Sequence, residues 1–265
     1  HDVKIITAYI RKLIKTESGI IYIPLTNTGF VRRLYRHRCI NGNKSFRYKD
    51  LIRELTITAH EYKIAKNAFA GGFTHASFLQ SRRVNDNVTS FDFSSSYPAV
   101  LVAEKFPMGK GVLVPHITQE EFSKRLENNC CIFDIEITGL MQKDDYHFES
   151  YISRSRCFEC VNPVTNNGRL WSADRIRTTI TNVDYEIIKK MYDMKEIRIS
   201  NFYYYQKAYL PDPFVETLLE LYRDKTSLKD ILGKEEEYMN AKKHINASFG
   251  MCVTDIVRAI VDYEN

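Results

Sequence analysis

Apolar residues recur every three to four positions in several stretches of the chain, and this spacing predicts amphipathic helices. The first stretch is "DVKIITAYIRKLIKT", where the apolar positions include Val3, Ile6, Ile10 and Ile14. Further stretches are "KDLIRELTITAHEYKIAKNAF", "VDYEIIKKMYD", "PFVETLLELYRDKTSLKDIL" and "KEEEYMNAKKHINASFG". The last two flank Gly233, and their length and period predict an αα-hairpin.

Other segments follow the period of two that is typical of strands. Alternation predicts strands in "CCIFDIEITGL" and "KEIRISNFYYYQKAYL", and "GIIYIP" predicts a strand or a short buried run. The stretch "TSFDFSSSYPAVLVAEKF" has a strand-like start through Phe93, then a serine turn, and then apolar residues from Ala99 that suit a short helix. This mixture predicts an α+β protein.

The composition fits a protein with a sizeable core and a polyanionic partner. The chain has 265 residues, 44% of them hydrophobic, which suits one large domain or two modest ones. Its formal charge is +5, its isoelectric point is near 8.7, and its cations are concentrated in the first third, so we expect a basic face. We find no signal peptide and no apolar run long enough to cross a bilayer, and we expect no membrane partner.

The six cysteines, in a chain without a signal peptide, predict a reducing compartment. The pair Cys157-x-x-Cys160 could be half of a zinc site. No second pair occurs at a matching spacing, so ordinary thiols are the preferred interpretation.

Asp92 is the first candidate for chemistry, because it stands between Phe91 and Phe93 at the end of a predicted apolar strand. A carboxylate in such a setting is costly unless something compensates its charge. A divalent cation would do so, and so would the backbone N–H groups of the turn at 94–96, which Asp92 would then cap. Position alone favours the cap, so the metal hypothesis needs support from elsewhere in the chain.

The second candidate is one face of the last predicted helix. Lys242, Asn246 and Phe249 fall at i, i+4 and i+7, and Gly250 follows where a ligand could approach the backbone. This face could hold a triphosphate through Lys242 and a base or sugar through Phe249, with Lys225 of the preceding helix in reach. Taken alone, the helix is more simply explained by a solvated lysine beside a core phenylalanine.

Three motifs, in the family's order, resemble those of family B DNA polymerases. "DFSSSYP" resembles the first palm motif, Asp-x-x-Ser-Leu-Tyr-Pro, and "KKHINASFG" resembles the fingers motif, Lys-x-x-x-Asn-Ser-x-Tyr-Gly. "FAGGFTHA" is similar to the Tyr-x-Gly-Gly segment that joins the exonuclease and polymerase domains in the protein-primed, phage-type branch. "HDVK" is similar to the end of the third exonuclease motif. With these motifs counted, we interpret Asp92 as a metal ligand.

The resemblance implies roles for the matching residues. Asp92 would be the catalytic carboxylate and would bind Mg²⁺ or Mn²⁺ together with the carbonyl of Phe93, while Asp2 would be a metal ligand of the exonuclease motif. Tyr97 would be the steric gate beneath the sugar and would exclude a 2′-hydroxyl. The other implied contacts are to the incoming nucleotide, through Lys225, Lys242, Asn246, Phe249 and Gly250, and to the template, through Gly71, Gly72 and Phe73.

The motifs depart from the family's pattern at several positions. Ser96 replaces the usual Leu, Ala247 the usual Ser and Phe249 the usual Tyr, which leaves the role of that Tyr hydroxyl open. The motif Tyr-x-Asp-Thr-Asp, which would supply the second metal-binding carboxylate, does not occur in this sequence. We therefore expect an excised fragment that is inactive by itself.

The resemblance also implies a fold, a function and partners. The expected fold is α+β, with an incomplete polymerase palm of antiparallel strands, an αα-hairpin fingers subdomain and a remnant of an exonuclease domain. The expected activity is template-directed addition of deoxynucleotides to a 3′-hydroxyl, with a DNA template-primer, dNTP and a terminal protein as partners, in the cytoplasm of a bacterium that hosts a phage or mobile element. The alternative is a non-catalytic module that binds nucleic acid or the terminal protein. The expected parts are an exonuclease-like part at 1–66, palm at 67–150, a terminal-protein-region-like insertion at 151–208, fingers at 209–250 and a second palm segment at 251–265.

Overall fold

The computed structural model describes residues 2–16, 26–40, 45–76, 80, 82–143 and 149–254. The chain divides into two units. The helical unit takes the described residues of His1–Leu51, Phe93–Glu104 and Leu210–Asn265, and the sheet unit takes those of Ile52–Asp92 and Lys105–Tyr209. Within these described residues we find no helix with the length and apolar character needed to span a membrane.

Helices make up both ends of the described chain, and the strands lie in its middle part. The helices are α1 (Asp2–Thr16), α2 (Asn27–Ile40), α3 (Ser45–Glu54), α4 (Ala59–Ala68), α5 (Ser96–Ala103), α6 (Gln119–Asn128), α7 (Asn182–Met191), α8 (Asp212–Ser227) and α9 (Glu235–Cys252). The strands are β1 (Phe106–Pro107), β2 (Val112–Val114), β3 (Cys130–Gln142), β4 (Cys157–Val161), β5 (Val164–Asn166), β6 (Arg169–Thr181), β7 (Tyr192–Asp193), β8 (Glu196–Tyr205) and β9 (Lys207–Ala208).

The core of the helical unit forms where α2 packs against α8 and α9. Helix α2 buries Val31, Tyr35 and Cys39, which are four residues apart and therefore lie on one face. The ring of Tyr35 lies 4.5 Å from the ring of Phe214 in α8, and burial raises the pKa of Tyr35 to about 12. The sequence pattern does not predict α2.

Helices α8 and α9 form the predicted αα-hairpin. Leu218 and Ile245 are both 1% exposed and provide buried side chains on the two helices. Gly233, in the connection, has a φ of +79°, a backbone conformation that glycine adopts without strain. The prediction of an αα-hairpin is confirmed.

The sheet unit contains an antiparallel sheet in the order β2-β8-β3-β6-β4, with β5 paired to β6 and β7 paired to β3. Strands β3 and β6 have 13 residues each and pair along most of their length, with Ile137 opposite Ile176. Strands β1 and β9 form a separate two-stranded ladder. The predicted α+β class and antiparallel strands are confirmed.

Both faces of this sheet are covered by helices. In β8, Phe202 packs into a cluster with Phe122 of α6 and Tyr185 of α7, whereas Tyr203 packs into a second cluster with Ile64 of α4. Successive residues of a strand point to opposite faces. Helices α6 and α7 therefore cover one face, and α4 covers the other.

A buried polar cluster joins the three central strands. Asp134 of β3 accepts hydrogen bonds from Thr179 Oγ1 of β6 at 2.6 Å and from Asn201 Nδ2 of β8 at 2.7 Å. We call these residues the Asp134 cluster. Asn201 lies at an irregularity in the pairing of β3 with β8 and has a φ of +48°, which Asn tolerates better than most residues. Because both carboxylate oxygens have a donor, the burial of Asp134 is compensated.

The predicted continuous helix at 49–69 is wrong, because α3 and α4 are separate helices. The residues between them end in Thr58, which caps α4: Thr58 Oγ1 accepts from the backbone N–H of Glu61, and Glu61 Oε2 accepts from the N–H of Thr58 at 2.8 Å. This reciprocal capping box starts a new helix.

The predicted strand through Phe93 is also wrong, because residues 88–93 have no regular secondary structure. A strand needs a neighbour to pair its backbone groups, and no strand among the described residues pairs with this segment. The predicted strand or buried run at 19–24 lies outside the described residues. The division into five parts and the exonuclease remnant stay predictions.

Candidate active site

Asp92 lies in an exposed and irregular segment of the chain. Its neighbours Phe91 and Phe93 are 90% and 84% exposed, so the apolar setting predicted for Asp92 is wrong. Ser95, and not Asp92, occupies the N-cap position of α5. The carboxylate of Asp92 is therefore accessible to solvent and to a cation.

The Ser-Tyr-Pro sequence forms the first turn of α5. Ser95 precedes the helix with a φ of +54°, and Pro98 is the third helical residue, where no intrahelical N–H bond is lost. Pro98 is buried and fixes the turn, whereas Tyr97 is 52% exposed. The turn thus presents the tyrosine ring at the surface of the helical unit.

Within the helical unit, one contact joins the palm-like motif to the fingers-like motif, and a second joins the palm-like motif to α8. The ring of Tyr97 stacks on the ring of Phe249 in α9, with centroids 4.2 Å apart and an interplanar angle of 22°. Lys225 Nζ in α8 donates to Ser95 Oγ at 2.7 Å. The structure therefore brings Tyr97, Phe249 and Lys225 to one region of the helical unit, although these residues are far apart in sequence. The sequence pattern gives no signal of the contact between Lys225 and Ser95.

The remaining residues of the fingers-like motif lie along α9. Lys242 and Asn246 are exposed, and Phe249 is partly buried in its stack with Tyr97. Gly250 is partly buried, but a Cβ at this position would meet no atom within 4 Å. A ligand that contacts Lys242 and Asn246 would thus lie on the solvent side of α9.

In the sheet unit, the segment 68–76, which we call the Gly-Gly loop, carries Gly71, Gly72 and Phe73. Both glycines are exposed, and Phe73 is 46% exposed. The ring of Phe73 lies 5.8 Å from the ring of Tyr151, and the guanidinium of Arg169 lies over it at 4.2 Å from the ring centroid.

Side chains from the segment before and at the start of β6 fasten both ends of the Gly-Gly loop. Arg156 Nη2 donates to the carbonyl of residue 68 at 2.9 Å, Arg169 Nη2 to that of residue 74 at 3.4 Å, and Asn167 Nδ2 to that of residue 76 at 3.1 Å. The spacing of these residues in the sequence gives no signal of this contact, because it depends on long-range packing.

A cavity of about 270 Å³ lies against the Gly-Gly loop. Its polar lining includes Ser153, Ser155, Arg156 and Arg169. The charge of Arg156 is partly offset by Asp184, whose Oδ1 lies 3.6 Å from Arg156 Nη1. The loop thus lies at a surface that is polar and positively charged.

Among the described residues, no three His, Cys, Asp or Glu side chains lie close enough together to hold a metal ion by themselves. Asp2 is the first residue of α1, but its side chain lies outside the described residues. Cys157 is buried in β4, where burial raises the pKa of its thiol to about 11. The exposed Asp92 carboxylate and the carbonyl of Phe93 are oxygen donors, the type that Mg²⁺ prefers.

The chain is similar in fold to several solved structures of phi29 DNA polymerase. A complex of that enzyme with primer-template DNA aligns with a TM-score of 0.61 and 17% identity over 85% of this chain. A complex with primer-template DNA and incoming nucleotides aligns with a TM-score of 0.59 and 18% identity over 85% of this chain. The chain spans 35% and 36% of the length of these two structures.

The sequence comparison gives the family. No curated protein matches the chain significantly. The family described as "DNA polymerase type B, organellar and viral" matches residues 32–265, which is most of the chain and confirms the resemblance predicted from the motifs. The chain therefore belongs to the type B DNA polymerases of organelles and viruses.

Proposed function

We propose that the protein is a template-directed DNA polymerase that adds deoxynucleotides to a 3′-hydroxyl, and that residues 1–265 carry its template loop, one catalytic carboxylate and its nucleotide-binding helices. The observation that carries this proposal is the stack of Tyr97 on Phe249. It joins a palm-like and a fingers-like motif that match the family in sequence and in order. Family membership and the phi29-like fold support it.

The stacked rings of Tyr97 and Phe249 would line the binding site of the incoming nucleotide. Tyr97 is half exposed and held by Phe249, so its ring is rigid enough to exclude a sugar that carries a 2′-hydroxyl. We assign Tyr97 the role of steric gate. Asn246 and Gly250, on the same helix as Phe249, would flank the nascent base pair.

The triphosphate would be held by lysines of α8 and α9. Lys242 is exposed on α9, and Lys225 is already oriented by its hydrogen bond to Ser95 at the start of α5. An ammonium group neutralises phosphate charge. Its attraction to the phosphate becomes stronger as the leaving group gains negative charge in the transition state. The side chain of Lys225 would thus be in position before the triphosphate binds, whereas the side chain of Lys242 would become ordered only when the triphosphate binds.

Phosphoryl transfer in this proposal depends on divalent cations. Mg²⁺ or Mn²⁺, when bound, would activate the attacking 3′-oxygen and neutralise the leaving pyrophosphate. Asp92 and the carbonyl of Phe93 would hold it, together with the carboxylate of a Tyr-x-Asp-Thr-Asp motif, which this sequence does not contain. The part of this chain is to present oxygen ligands at the segment before α5.

The first test replaces Asp92 by Asn in the full-length protein. Loss of a metal ligand removes several kcal/mol of transition-state stabilisation, so we expect nucleotide incorporation to fall by about 10³-fold or more while DNA affinity is largely kept. Asp86→Asn is the matched control, since Asp86 is exposed in the same loop region. Normal extension by the Asp92 variant would refute the catalytic assignment, and DNA binding without any incorporation by the unchanged protein would favour a non-catalytic binding module.

The second test concerns the sugar. Tyr97→Val should raise ribonucleotide incorporation relative to deoxynucleotide incorporation by about one to two orders of magnitude, because the ring that blocks the 2′-hydroxyl is gone. Tyr97→Phe keeps the ring and should keep the discrimination. Equal sugar selectivity in the Val variant would remove the gate role from Tyr97.

The proposed partners are a DNA template-primer, dNTP and a terminal protein that primes synthesis where phage or mobile-element DNA replicates. The structurally similar phi29 enzyme has been solved with primer-template DNA and with nucleotides. The basic cavity beside the Gly-Gly loop supports contact with nucleic acid in the sheet unit. Template contact would involve Gly71, Gly72 and Phe73, and protein priming is tested by supplying a terminal protein with a dNTP and measuring a covalent nucleotide–protein product.

A further inference from the structure

Arg169, the first residue of β6, contacts three groups of the sheet unit. One guanidinium nitrogen donates to the carbonyl of Tyr151 at 2.7 Å, a second donates to the carbonyl of Thr74 at 3.4 Å, and the planar group lies over the ring of Phe73. The contact with Thr74 joins residues that are 95 positions apart in the chain. A single side chain therefore fixes the backbone of the Gly-Gly loop and the orientation of its aromatic ring at the same time.

The chemistry of these contacts is specific to arginine. A guanidinium can stack its flat face on a ring while its N–H groups donate in the plane, whereas a lysine ammonium is a point charge without a planar face. In Arg169 the face is used by Phe73, and two nitrogens are used by backbone carbonyls. The guanidinium of Arg169 is therefore better placed to orient Phe73 and the loop backbone than to bind a ligand directly.

Phe73 is the residue that benefits from this arrangement. Its ring is 46% exposed although it contacts Arg169 and Tyr151. An aromatic ring held at a surface in one orientation can stack on a nucleobase without first losing rotational freedom. The neighbouring exposed glycines leave room for a nucleic-acid backbone beside the ring.

We propose that Arg169 is a positioning residue, which holds Phe73 as a stacking platform for a base of the template strand and does not itself bind phosphate. The inference rests on the proposed function, because it requires that the Gly-Gly loop contacts template. It assigns a role to a residue outside all of the polymerase-like motifs. Arg156 and Asn167 assist by fastening the ends of the same loop.

The test measures the affinity of the protein for a single-stranded DNA oligonucleotide at several salt concentrations. The variants are Arg169→Lys, Arg169→Gln, Phe73→Ala and the double variant Arg169→Lys with Phe73→Ala. Arg175→Lys is the matched control, because Arg175 lies on the same strand and its side chain is 46% exposed and pairs with Glu159. Fluorescence of Trp171, also in β6, reports whether each variant is folded; if the Gln variant does not fold, the Lys variant carries the test.

We expect roughly tenfold weaker binding for each Arg169 variant and for Phe73→Ala, within the range for loss of one base–aromatic stack. The double variant should bind about as tightly as Phe73→Ala, because Arg169 acts through that ring. The salt dependence should be unchanged in Arg169→Gln, since loss of a direct phosphate contact would reduce the logarithmic slope by about 0.7.

Other outcomes would overturn the inference. Losses that add in the double variant, or a reduced salt slope in Arg169→Gln, would show that Arg169 binds DNA directly. Affinities of the Arg169 variants equal to that of Arg175→Lys would show that it has no role in binding. In both cases the unchanged protein still binds DNA, whereas absence of binding by the unchanged protein would contradict the proposed function as well.

Discussion

Replacement of Thr179 by Val tests the energetic role of the Asp134 cluster. Thr179 is 0% exposed and donates its hydroxyl to Asp134 Oδ1 at 2.6 Å. Val has nearly the same shape, so the change removes the hydroxyl and leaves a buried carboxylate oxygen without its donor. Hydrogen bonds to charged groups contribute about 1.5–3 kcal/mol, and burial of the unsatisfied group adds to the loss. We expect the free energy of unfolding of the sheet unit to fall by about 2–3 kcal/mol.

The adjacent residue provides a matched control. Thr178 is 2% exposed and donates to the neutral carbonyl of Arg156 at 3.0 Å, so Thr178→Val should cost only about 1 kcal/mol. Urea unfolding followed by tryptophan fluorescence measures both, because the single tryptophan of the chain, Trp171, lies in β6 of the same unit. Equal losses for the two variants, or a larger loss for Thr178→Val, would refute the argument that the charge of Asp134 sets the difference.

Three further predictions concern other parts of the chain. Burial lowers the pKa of His244 from 6.5, so the free energy of unfolding should be highest above that pH and decline below it. Urea titrations at acid pH, followed by circular dichroism, should show a weaker decline for His244→Phe, and an unchanged decline would contradict this. Burial raises the pKa of Cys131 to about 12 and that of Cys157 to about 11. Both thiols should therefore resist iodoacetamide at about pH 8 until urea unfolds the chain, and rapid labelling of the folded protein would be the contrary result. A Cβ at Gly111 would collide with the carboxylate of Glu61 and with the ring of Tyr205, so Gly111→Ala should cost about 1–3 kcal/mol. Gly71→Ala, which has open space, should be nearly neutral in the same urea titration, and equal stabilities would argue against this packing.

Local periodicity predicts the elements whose buried faces are regular. An apolar spacing near 3.6 residues predicts helices α1, α7, α8 and α9, and a spacing of two residues predicts strands β3 and β8. Helix α2 has the same i, i+4 spacing at Val31, Tyr35 and Cys39, but arginines and a histidine on its exposed side obscure it. The sequence pattern does not predict β6, because its exposed positions carry charged residues and its buried positions include small and hydroxyl side chains such as Ala173 and Thr178.

Some residues of the candidate site can be predicted from local sequence, whereas others depend on long-range packing. The motifs predict Tyr97 and Phe249, and the reach of the preceding helix predicts Lys225; the helical unit brings these side chains to one region. Spacing could not predict the contacts of Arg169, since they depend on where β6 places its first residue relative to a distant loop. The strand expected before Asp92 failed for a related reason, because alternation is a local signal whereas strand formation needs a partner.

The exposed segment around Asp92 has a thermodynamic consequence. Phe91 and Phe93 are two residues apart, so in an extended strand both rings would lie on one face and the carboxylate of Asp92 on the other. Pairing with a further strand could bury these rings, with a gain of about 1.5–3 kcal/mol for each, and would at the same time fix the direction of the carboxylate. Strand completion and cation binding at Asp92 would then be coupled equilibria, in which either event lowers the cost of the other. Under the proposed function, the metal site would then form together with this strand and would not be preformed in the segment.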